Sequence, residues 1–69
     1  MEINTCKVAE LMTAKLWTRE DLAVAAGVSW QTVGAMLRYG RVGRRSAQLI
    51  AEALGVQIGE IERQGDYAS

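Results

Sequence analysis

Between Trp17 and Val33 the chain writes one helix-starting pattern twice, with a single glycine between the two copies. In the first copy Thr18 can accept a backbone N–H bond as N-cap while Asp21, three residues on, reaches back, a capping box with the shorter acid in place of glutamate. Trp17 before the cap and Leu22 four residues into the helix form a hydrophobic staple, and Glu20 and Asp21 favour the positive end of the helix dipole. A helix is predicted from about Arg19 to Ala26. In the second copy Ser29 is the N-cap and Val28 and Val33 hold the staple positions, which predicts another helix from there to about Arg38. Gly27 separates them. A chain that turns sharply within three residues needs φ > 0, which only glycine takes without a Cβ penalty.

The flanking segments are helical too. Val8, Leu11, Met12 and Leu16 fall at helical spacing with Lys7, Glu10 and Lys15 between them, predicting a first amphipathic helix near residues 5 to 15. After Tyr39 and Gly40, the segment Arg41-Val42-Gly43-Arg44-Arg45 has two glycines and no apolar period, and reads as a loop. A fourth helix follows from about Arg45 or Ser46 to Leu54, with Ala47, Ile50, Ala51 and Leu54 on one face and Gly55 just past its end. Ile58 and Ile61, with Glu60 and Glu62, predict a last short helix, and residues 64–69 read as a loose tail. With no proline and no strand-like alternation, the expected fold is all-α, a single domain over 1–69 with an ordered core from about 5 to 63 and no internal repeat.

Composition removes several classes of function. A chain of 69 residues buries only about 60% of its extended surface on folding, so its core is small. Cys6 is the only cysteine and there is no histidine, so neither an intrachain disulfide nor a Cys/His zinc site is expected, and no cofactor is implied. Catalysis has no candidate: Cys6 lacks a base, and Glu20 and Asp21 are explained by capping. No apolar run approaches the roughly 18 residues of a membrane span, and MEINTCK lacks a secretory pattern, so a cytoplasmic protein is expected. Net charge is zero, yet from Arg38 to Arg45 four of eight residues are arginine and none is acidic. The remaining four basic and eight acidic residues leave a net −4 elsewhere. Local potential is what neutralises phosphates, since distant acids are screened beyond about 8 to 10 Å. Taken alone, the arginine run is either a solvated loop or a phosphate clamp.

Leu22, Ala23, Ala26, Gly27, Val28, Val33 and Met36 together form the helix-turn-helix pattern. Ala23 is small where two helices cross closely, Gly27 makes the turn, and the larger residues fill the wedge. At this point the chain resembles the phage-repressor and Cro-like helix-turn-helix regulators, also called the XRE family. The stretch TREDLAVAAGVSWQTVGAMLR is similar to the family's central motif, and SAQLIAEALGVQIGEI to its following helices, so the resemblance covers nearly the whole chain. It implies a compact five-helix bundle of the lambda-repressor-like type, a homodimer, and a sequence-specific DNA-binding regulator from a phage, plasmid, mobile element or bacterial operon. Two positions depart from the pattern. Arg19 stands where glutamine is common, which replaces a bracing amide with a charge, and Trp30 stands where polar residues are more usual.

Docked in this mode, the N-terminal residues of the second motif helix reach base edges in a groove about 12 Å wide. The expected base contacts are Trp30, Gln31, Thr32, Ala35 and Arg38. Gln31 can pair with adenine, Thr32 offers a hydroxyl or a methyl, and Gly34 and Ala35 let the helix sit deep. Trp30 either meets a thymine methyl or sugar or simply covers the turn, and Arg38 reaches guanine or a phosphate. Expected phosphate contacts are Thr18, Arg19 and Ser29 at the two helix starts, with Tyr39, Arg41, Arg44 and Arg45 beyond. Val56, Ile58 and Ile61 either form a self-interface or cap the small core, and Leu37 is either partly exposed or packed on the fourth helix. No small-molecule effector is expected. The competing reading is a protein-interaction module, antitoxin-like or accessory, which the zero net charge favours.

Overall fold

Left-handed backbone turns divide the chain into its elements. The computed structural model describes residues 1–63 and contains α1 (Thr5–Lys15), α2 (Arg19–Ala26), α3 (Trp30–Tyr39), α4 (Arg44–Leu54) and α5 (Ile58–Ile61). The tail expected at 64–69 lies outside the described residues. Among the described residues there is no strand, only two isolated bridges. The all-α, five-helix expectation therefore holds, and the fold is of the lambda-repressor-like kind.

Three helices end alike. After α1, α2 and α4 the next residue, Leu16, Gly27 or Gly55, takes φ of 60°, 74° or 77°. The residue after it returns its N–H to an earlier carbonyl: Trp17 to Met12 at 2.9 Å, Val28 to Ala23 at 3.1 Å, and Val56 to Ala51 at 3.0 Å. This is the Schellman closure, and its usual hydrophobic contact is present, since Trp17, Val28 and Val56 all pack half-buried on the core. Leu16 corrects one expectation. Its spacing suits the buried stripe of α1, but as the left-handed cap its side chain swings out to 87% exposure.

The core is wholly apolar, with no buried polar side chain among the described residues. Val8 and Met12 come from α1, Leu22, Ala23 and Ala26 from α2, Val33 and Met36 from α3, and Ala47, Ile50, Ala51 and Leu54 from α4. The second helix packs chiefly on α3 and α4, where alanines on α2 and α4 let the backbones approach. Leu37 is half-buried, packed against this cluster and still partly exposed.

Two segments differ from the sequence reading. The fourth helix begins at Arg44, so Arg44 and Arg45 form its first turn and not the end of a loop. Gly43 is its N-cap and makes no side-chain bond, so the start leaves no residue signature. The ordered core also begins before residue 5. Ile3 is 2% exposed, and its N–H donates to the Gly40 carbonyl at 2.8 Å, while the N–H of Asn4 reaches Ile61 at 2.8 Å and the N–H of Arg63 reaches Glu2 at 3.1 Å. Residues 1–4 thus lie between the 40–42 turn and the end of α5, with Glu2 bridging Arg41 and Ile3 bridging Glu62.

Candidate nucleic-acid interface

Burial of Val33 and Met36 fixes which side of α3 faces inward, and Ser29 fixes where the helix starts. The Ser29 hydroxyl accepts the Thr32 N–H at 3.2 Å and shares a second bond with the Thr32 hydroxyl at 2.9 Å. Trp30, Gln31, Ala35 and Arg38, four of the positions expected to meet bases, are exposed on the outward side. Thr32 is the exception. It is half-buried and tied to Ser29, so its hydroxyl serves the helix start before anything outside, and Gln31 alone of that pair is presented freely.

The outward residues share an open hollow. Its walls are Trp30, Gln31, Gly34, Ala35, Arg38 and Tyr39 from α3, joined by Arg19 from the start of α2. No acidic residue lines it, and two guanidinium groups do. The Arg38 guanidinium lies 5.6 Å from the centre of the Tyr39 ring, within cation–π range, which restrains an otherwise mobile side chain. Trp30 is 65% exposed and Tyr39 68%, so both keep large aromatic faces on this surface.

The helix starts differ in what they leave for a ligand. At α2 the capping box is complete: the Thr18 N–H donates to the Asp21 carboxylate at 2.9 Å and the Asp21 N–H to the Thr18 hydroxyl at 3.2 Å. Those two amides are used within the chain, as the capping box implies, and are not offered to a phosphate. At α4 no side chain caps the helix and its first turn carries Arg44 and Arg45, both exposed, with no acid. Cations at the positive end of a dipole are unfavourable by a few tenths of a kcal/mol or more each. Arg41 is exposed too, on the turn held by Glu2.

Of the residues expected at a self-interface, Ile61 is 0% exposed and belongs to the chain's own core. Val56 is half-buried as the apolar residue closing α4, in the role that Trp17 and Val28 fill elsewhere. Ile58 is half-buried at the start of α5. The segment 1–4 behind the 40–42 turn was invisible to periodicity, because its pairing partners are distant in sequence and each pairing is a single bridge.

A short helix, a left-handed glycine turn and a second helix showing one acid-free, arginine-flanked face define the helix-turn-helix class of DNA-binding domain. The chain belongs to the Cro/repressor-like, or XRE, branch of that class: the family model described as Helix-turn-helix matches residues 8–61, most of the molecule. No curated protein and no solved structure gives a significant match. The protein is thus a DNA-binding helix-turn-helix regulator by family, and no described helix is long and apolar enough to cross a membrane.

Proposed function

We propose that this protein is a small transcriptional repressor that binds a specific duplex sequence as a homodimer, with α3 lying in the major groove. The observation that carries the reading is the shared hollow, in which Arg19 joins Gln31, Ala35 and Arg38 on one face free of acid. Gln31 pairs with adenine N6 and N7, Arg38 meets guanine or phosphate, and Trp30 and Ala35 supply apolar contact. Thr18, Arg19, Ser29, Tyr39, Arg41, Arg44 and Arg45 hold the backbone on either side. Two copies joined near Ile58 would set their α3 helices on successive half-sites, which lie about 34 Å apart on the duplex. Such a regulator works in the bacterial cytoplasm, at the nucleoid.

Selection of bound sequences from random duplexes at two salt concentrations tests this. An enriched, roughly two-fold symmetric motif with salt-dependent retention is expected. Recovery of no motif with salt-insensitive retention points to the second reading, a protein-interaction module. That alternative has its own support in the apolar surface formed by Val24, 83% exposed, with Val28 and Trp30 beside Glu20.

A further inference from the structure

Gly34 is a residue that its own helix does not want. Glycine is less favourable than alanine in a helix interior, and Gly34 sits mid-way along α3 with no left-handed φ to require it. Packing does not require it either, since a Cβ built there meets no atom within 4 Å. A local preference broken with no gain inside the fold points to something outside it. Gly34 lies three residues after Gln31 and four before Arg38, on one helix face, and all three line the same hollow with Ala35 and Trp30. The absent side chain is therefore a notch in the face that presents the amide and the guanidinium.

We propose that this notch reads thymine: Gly34 receives the C5 methyl of one thymine in each half-site, with Ala35 and Trp30 as its apolar neighbours. The thymine methyl is the one apolar group a standard base pair displays in the major groove, and cytosine has only hydrogen at that carbon. The inference rests on the major-groove docking proposed above.

The test moves a methyl group between DNA and protein. Each thymine of the selected site is replaced singly by deoxyuridine, and affinities are measured for the wild type and Gly34→Ala. At one thymine per half-site the wild type loses about fourfold, the scale of one buried methyl group. Gly34→Ala, which carries the methyl itself, loses or inverts that preference there and matches the wild type at every other thymine. Its melting temperature rises by about 2 to 8 °C, which separates lost recognition from lost folding. The inference is overturned if the wild type is indifferent to uracil at every position, if the half-site has no thymine, or if Gly34→Ala keeps the wild-type preference. These outcomes leave DNA binding intact. A wild type that selects no motif sinks the docking and the notch together.

Discussion

Leu16 takes the left-handed conformation that the ends of α2, α3 and α4 give to glycine. An L-residue in the left-handed region costs roughly 1 to 2 kcal/mol, and at 87% exposure the side chain recovers little of that by burial. Leu16→Gly is predicted to stabilise the domain by about 1 kcal/mol, a rise of roughly 4 to 8 °C in melting temperature. Gly27→Ala goes the other way by about 1 to 2 kcal/mol, although nothing stands within 4 Å of the new Cβ, because the penalty is the φ of 74° itself. Thermal unfolding of the two variants reads both signs, and a neutral Leu16→Gly would show that the turn carries no strain. Gly27 announced its role in the sequence. Leu16 did not, since an apolar residue at helical spacing looks like core until the backbone is seen to reverse under it.

At the level of elements, helix starts were legible to the extent that side chains make them. Thr18 and Asp21 form the reciprocal cap that their spacing implied. Thr18→Ala should cost about 1 kcal/mol, and because the two bonds form one unit, the double change with Asp21→Ala should cost less than the sum of the singles. Additive losses in denaturant unfolding would mean the two bonds act independently. The start of α4 was displaced by a residue because Gly43 caps it with backbone alone. Gly43 has φ of −63° and open space around its Cβ, so Gly43→Asp fits, adds a capping carboxylate, and should raise the melting temperature by a few degrees. The same carboxylate sits beside Arg44 and Arg45. DNA affinity is therefore expected to fall while stability rises, and a Gly43→Asp protein that binds as tightly as wild type would remove the α4 start from the interface.

Across the whole molecule, zero net charge conceals a basic run over 38–45 with four acidic residues before it and four after, and several of the proposed phosphate contacts fall in that run. Four to six such contacts give a slope near −4 to −5 in log affinity against log salt, at roughly 0.9 per contact. Arg44→Ala or Arg45→Ala should weaken binding on all sequences alike and flatten that slope by about one. A slope unchanged by either arginine would place both in solvent. Closure of the fold depends on Ile3, which ties the turn beyond α3 to the end of α5. Ile3→Ala should cost about 2 to 5 kcal/mol, a large fraction of what a domain this size possesses, and urea unfolding measures it.

From Thr18 to Gly55, apart from the α4 start that Gly43 caps with backbone alone, the residues set the helices and turns, because caps, left-handed glycines and apolar spacing act over three or four positions and need no distant partner. Ile61 and Val56 illustrate what lay beyond that reach: apolar surface looks the same in sequence whether it is destined for the chain's own interior or for another copy. In the folded chain Ile61 fills the small core, while Val56 closes α4 and stays half-buried. The segment 1–4 and the meeting of Arg19 with α3 were decided the same way, since both join positions whose proximity exists only once the helices have docked.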